Sequence, residues 1–258
     1  MMKLAGLFGL QAAASRERRA RLRLDGDGLA IYAIGDVHGC LDKLLALEEA
    51  IIADSVKLPG GKLIVMLGDY VDRGPVSAEV IDHLIAQPPA GFERICLAGN
   101  HEMLMLDYLE GRAALAEWMP MGGAATLASY GVDADRLRQV YSSPRQVDDM
   151  IRKAIPAAHL AFLKSLPVLV ETQRFVFVHA GIRPELPLDE QADDDLVMIR
   201  SEFYRQAHLL RKYVVHGHTP IAEAKLEGRR VNIDTGACFG GPLTALRIWR
   251  NEGTYLTS

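Results

Sequence analysis

Five short clusters of Gly, Asp, His and Asn hold nearly every residue of this chain that could do chemistry. They are Gly35-Asp36-Val37-His38-Gly39, Gly68-Asp69-Tyr70-Val71-Asp72-Arg73-Gly74, Gly99-Asn100-His101-Glu102, His179-Ala180-Gly181 and His216-Gly217-His218-Thr219. Their side chains offer carboxylate oxygens, imidazole nitrogens and an amide oxygen. That mixture, without thiolate, suits Mn, Fe or Zn in a catalytic site better than Ca or a structural zinc. The flanking glycines let the backbone turn tightly and approach a bound ion or phosphate. Taken singly, each piece is weak: a strand-end Asp ordinarily caps a helix or closes a turn, and a lone His such as His179 is ordinarily a packed residue. Five such clusters in one chain point to a shared site.

The surrounding pattern explains how they meet. Leu29 to Ile34 is an apolar run ending at Gly35, and Cys40 to Ala53 carries Leu and Ile at helical spacing. Lys62 to Leu67 reads as a buried strand, Val80, Ile81, Leu84 and Ile85 mark a helix, and Arg94 to Ala98 reads as a third strand. This βαβαβ order implies parallel strands with helical crossovers, whose carboxyl-end loops are where open α/β sheets bind ligands. The stretch from about 103 to 167 is helical in pattern and is expected to form a cap beside the site. From Val168 the chain returns to short strands, at Arg174–Val178, Tyr213–Val215, Val231–Ile233 and Leu243–Trp249. The expected fold is α/β, with two packed mixed sheets flanked by helices and one helical insertion, over residues 29–258.

The five motifs GDVHG, GDYVDRG, GNHE, HAG and GHT, in this order, resemble those of the bacterial and phage-type phosphoprotein phosphatases among the calcineurin-like metallophosphoesterases. The likeness runs from about Ile31 to Trp249 and is supported by Gly122-Gly123, Thr126 and the Asn232-to-Ala237 segment. The resemblance implies two divalent metal ions, Mn foremost, with Fe or Zn as alternatives. It implies that Asp36 and His38 hold the first, that Asp69 bridges, and that Asn100, His179 and His218 hold the second. Water activated between the ions would attack phosphorus in line, without a phosphoenzyme. His101 would protonate the leaving oxygen, oriented by Asp72. Arg73 would clamp the phosphate together with Asn100, and Arg200, in Val197-Met198-Ile199-Arg200, would be a second clamp.

The resemblance leaves substrate to smaller signals. Asp72 and Glu102 match the pattern of serine/threonine protein phosphatases, so a phosphorylated protein is the expected substrate. Dinucleoside polyphosphate hydrolysis, carried out by a sister branch, is the alternative. Pro220 stands where phosphodiesterases of the wider group place a second histidine, which speaks against that class. His83, His159 and His208 lie in helical stretches and are expected to pack or face solvent. His216 is expected to support the site from behind, and Asp234 to bond a ligand histidine or a turn.

Composition agrees with a globular enzyme. The 258 residues are 49% hydrophobic and 24% charged, with a net charge of -4 that gives no reason to expect nucleic-acid binding. The three cysteines share no CxxC spacing, which points to a reducing, cytoplasmic setting. No apolar run approaches the roughly 18 residues of a membrane span. The first 28 residues, an apolar start followed by five arginines between Arg16 and Arg23, read as a loosely ordered leader, and the acidic stretch Asp189 to Asp195 as a solvated loop.

Overall fold

In the computed structural model, which describes residues 16–26 and 28–258, two mixed sheets pack face to face. The first holds β2 (Ala30–Ile34), β3 (Lys62–Met66), β4 (Phe92–Cys96), β10 (Thr244–Trp249) and β11 (Glu252–Thr257), in the order β11-β10-β2-β3-β4. The second holds β1 (Arg21–Arg23), β5 (Leu169–Glu171), β6 (Phe175–Val178), β7 (Tyr213–His216), β8 (Lys225–Glu227) and β9 (Arg230–Asn232), in the order β1-β5-β6-β7-β9-β8. Successive strand residues point to opposite faces, and the core is split accordingly. Ile31, Ala33, Leu63 and Val65 meet Phe177, Val215 and Val231 between the sheets. Tyr32, Ile34, Ile64 and Met66 face the helices α1 (Leu41–Ser55) and α2 (Ser77–Ile85) through Leu44, Leu47, Ile51, Val80 and Ile81.

Register is what brings the motifs together. β2, β3 and β4 are parallel, with Ile34 opposite Met66 and Met66 opposite Cys96, so their carboxyl ends lie level. β6, β7 and β9 are parallel in the second sheet, which brings the HAG, GHT and Asn232-to-Asp234 turns to one edge. The third loop runs straight into α3 (Asn100–Leu109). From there α4 (Leu115–Trp118), α5 (Gly123–Ser129), α6 (Ala134–Val140), α7 (Pro144–Ala154) and α8 (Ala157–Ser165) fill the stretch expected to be helical. After β6 come α9 (Asp193–Met198) and α10 (Ser201–Arg205).

The structure corrects several expectations. The third strand begins two residues earlier, at Phe92; Leu97 and Ala98 follow it, bonding Met66 O and Pro167 O at 2.9 and 2.8 Å. Arg21–Arg23, inside the expected leader, is a strand paired in parallel with β5, and only residues 1–15 and 27 of that leader lie outside the described residues. The acidic stretch is solvated only in part: Asp189 and Glu190 are exposed, while Asp193 and Asp194 take arginines from the start of the chain. Arg21 bonds Asp193 at 2.7 Å and Arg16 bonds Asp194 at 2.5 Å, while Arg19 reaches the carbonyls of Leu163 and Leu166 at 3.0 and 2.7 Å. Opposite charges thus order a segment whose composition reads as disordered. No helix among the described residues is long and apolar enough to cross a membrane.

Candidate metal centre and active site

Asp69 is the hub. Its carboxylate Oδ2 lies 3.3 Å from His179 Nε2, 3.5 Å from His38 Nε2 and 3.8 Å from His101 Nε2, and its Oδ1 accepts the His101 N–H at 3.1 Å. On one side His38, Asp69 and His101 bring donor atoms within 4.8 Å of one another; on the other side Asp69, His179 and His218 do the same. Asn100 completes the second group, with its Oδ1 2.8 Å from His218 Nδ1 and 3.0 Å from His179 Nε2. Asp36 stands at the margin of these groups. Its carboxylate accepts the His218 N–H at 3.0 Å, a contact that ties the first loop to the last.

Several features test whether this pocket fits cations. His38 donates Nδ1–H to Val71 O at 2.8 Å, and His179 donates Nδ1–H to Leu67 O at 3.0 Å. A carbonyl can only accept, so in each ring Nδ1 carries a proton and Nε2 is the nitrogen turned to the cluster, the orientation a metal-ligating histidine needs. Burial depresses His38 to about 4, and burial with the neighbouring His179 depresses His218 to about 3, so both rings are neutral near pH 7. His179 is raised, because the charge of Asp69 outweighs the opposing effect of burial. Asp36 is driven well above the carboxylate range by burial and by the charges of Asp234 and Asp69. Buried carboxylates beside the neutral rings of His38 and His218 make a donor set that suits a cation.

The backbone is shaped to the same end. His38, Asp69 and His218 have φ of 45°, 53° and 67°, and Asp72 and Arg73 both have 71°. Left-handed non-glycine residues are uncommon and cluster at functional sites, where the surrounding structure maintains the strain. Gly217 and Gly99 are required by close approach: a Cβ there would stand 2.0 Å from Asp36 Oδ1 and 2.2 Å from Asp69 Oδ1.

His101 is fully buried on the other flank. Its Nδ1–H donates to Asp72 Oδ2 at 2.7 Å, and its Nε2 has no hydrogen-bond partner among the described residues. Burial lowers its pKa, but the Asp69 charge and the Asp72 hydrogen bond outweigh this and raise it above the ordinary histidine value. Asp72 is itself fixed by the cap. Trp118 Nε1 donates to it at 3.0 Å, and Thr126 Oγ1 donates to its carboxylate at 2.7 Å while accepting its backbone N–H at 2.7 Å. Trp118 is absent from the sequence-based site. Its indole lies 46 positions from Asp72 with no local motif.

The two arginines cover opposite flanks. Arg73 Nη1 lies 2.9 Å from His38 Nε2, and Arg200 Nε lies 3.0 Å from His218 Nε2. Glu102 does not face the site opening. It is fully buried, and it accepts the backbone N–H groups of Asp69, Tyr70 and Gly99 at 2.8, 2.7 and 2.9 Å. His216 is fully buried, bonded to Gly217 O at 3.0 Å. The Asp234 carboxylate accepts Gly236 N–H at 3.0 Å, a turn role. His83 and His159 pair with Glu48 and Asp82, away from the cluster.

Residues 29–245 match the family model described as calcineurin-like phosphoesterase, most of the chain. The chain belongs to the calcineurin-like phosphoesterase family. This metallophosphoesterase is similar to the asymmetrical bis(5'-nucleosyl)-tetraphosphatase PrpE of Halalkalibacterium halodurans, at 29% identity over 239 residues, covering 83% of this chain and 88% of that protein. The PrpE of Bacillus subtilis is also 29% identical, over 85% of this chain and 91% of its own length. Among solved structures, a candidate diadenosine tetraphosphatase superposes with a TM-score of 0.64 at 19% identity, covering 93% of this chain and 98% of that one. A cold-active protein-tyrosine phosphatase of a Shewanella species gives 0.57 at 18% identity, covering 93% and 83%. At such identities the solved structures speak for the fold alone.

Proposed function

We propose that this metallophosphoesterase hydrolyses dinucleoside polyphosphates asymmetrically, releasing a nucleoside monophosphate from one end of a tetraphosphate bridge. The expectation of a protein phosphatase gives way here. It rested on Asp72 and Glu102, and both are turned inward: Asp72 onto His101, Trp118 and Thr126, Glu102 onto backbone amides. Neither has an atom free to select a substrate, so neither argues for protein over nucleotide. The observation that carries the proposal is the similarity to tetraphosphatases along more than four-fifths of the chain.

The residues divide the work as follows. Asp36, His38 and Asp69 would hold one divalent cation, and Asp69, Asn100, His179 and His218 the other, with Mn as the expected metal. Bound there, the pair supplies Lewis acidity for the phosphoryl oxygens and an activated water. Arg73 and Arg200, one on each flank, orient the bridge, because a guanidinium fork matches two phosphate oxygens. His101 holds a proton on Nε2 for the leaving oxygen, while the carboxylate of Asp72 fixes the ring and favours its protonated form.

The test compares Mn-loaded protein on a dinucleoside tetraphosphate, phosphopeptides and an aryl phosphate. The expected result is mono- and triphosphate products from the dinucleotide, with kcat/KM at least about tenfold above the phosphopeptides. A preference for the phosphopeptides overturns the substrate assignment.

A further inference from the structure

One large apolar side chain stands in the open beside the phosphate-binding arginine. Phe239 is 65% exposed, unlike most large apolar side chains of this protein, and lies on the short turn Ala237–Phe239 after β9. The Arg73 guanidinium carbon sits 5.3 Å from its ring centroid, and Arg73 Nη1 lies 2.9 Å from His38 Nε2, so the ring is one side chain removed from the cluster. The turn is anchored. Lys43 Nζ donates to Ala237 O and Gly241 O at 2.7 and 2.6 Å, Phe239 N–H bonds Gly236 O at 2.8 Å, and Thr235 Oγ1 donates to Pro242 O at 2.7 Å. An exposed phenyl ring on a fixed turn, with an arginine at its side, is the pairing that stacks nucleobases while binding their phosphates.

We propose that Phe239 is a stacking platform for the base of a nucleotide whose phosphates reach Arg73 and the metal cluster, and so a specificity-determining residue of this site. This rests on the dinucleotide reading and names where one nucleoside lies. The larger stacking area of a purine favours it over a pyrimidine on such a ring.

The test separates the base from the phosphates. Competitive inhibition of the Mn-loaded protein is measured with ATP and with inorganic tripolyphosphate, using an aryl phosphate as reporter, in the wild type, Phe239→Ala and Phe239→Trp. Stacking one base on an aromatic ring contributes enough to predict about a tenfold rise in the Ki of ATP for Phe239→Ala, with that of tripolyphosphate within about twofold. Phe239→Trp is expected to restore or exceed wild-type ATP affinity. The platform is overturned if ATP binds wild type no better than tripolyphosphate, or if both inhibitors weaken equally in Phe239→Ala, which would mean that the ring acts only by propping Arg73. Failure to cleave the dinucleotide, with ATP still favoured through Phe239, strikes the proposed reaction and leaves the platform standing.

Discussion

The two flanks of Asp69 are built by different parts of the molecule. On the His179 and His218 flank, support is local to the sheets: His179 bonds the carbonyl of Leu67 across the sheet interface, and the His218 amide bonds Asp36. On the His101 flank, support comes from the cap: Trp118 and Thr126 reach from α4 and α5 to hold Asp72, and Arg73 N–H bonds Gly122 O at 3.3 Å. The group of Asp69, His179 and His218 is therefore held by the two sheets, whereas the group of His38, Asp69 and His101 also leans on the insertion through Asp72. Metal affinity and turnover are expected to respond to different substitutions.

That separation can be broken most severely at the hub. Asp69→Asn removes the charge both flanks share, and isothermal titration is expected to show Mn affinity down by more than about a hundredfold, the upper end for losing merely a supporting group. His101→Asn should keep both metals yet lose at least about a hundredfold in kcat, the usual scale for a general acid; near-normal turnover would remove His101 from the role of proton donor. Thr126→Val deletes a hydrogen bond to a carboxylate, an interaction contributing about 1.5–3 kcal/mol. Steady-state assays should show kcat down by about tenfold with metal content unchanged. A drop in bound metal for this variant would mean that the flanks are not separable. The smallest effect is expected for Arg200→Lys, which keeps the charge but loses the fork. KM should rise about threefold to tenfold with kcat nearly constant.

How much of this the sequence discloses depends on how local each feature is. The ligand clusters are legible because a turn at a strand end needs glycine and a metal needs a particular donor set, and both signals sit within a few residues. The parallel strands are legible from their continuous apolar runs. Strands β1, β8 and β11 are not. They lie at sheet edges, and β8 is exposed along its whole length, so no apolar pattern marks it. The Arg-rich start of the chain reads as leader because its partners, Asp107, Asp193 and Asp194, are distant in sequence. Trp118 is hidden for the same reason. Glu102 misled in a different way: its motif is visible, but only the fold shows that the carboxylate serves the backbone and not the substrate.

Two cations are expected to flank Asp69, and counting them is the most direct measurement. Equilibrium dialysis of the purified protein against Mn, with metal analysis, should give two ions per wild-type chain, with His38→Ala retaining one and His218→Ala retaining the other. A single ion in the wild type, or two in both variants at unchanged affinity, contradicts it.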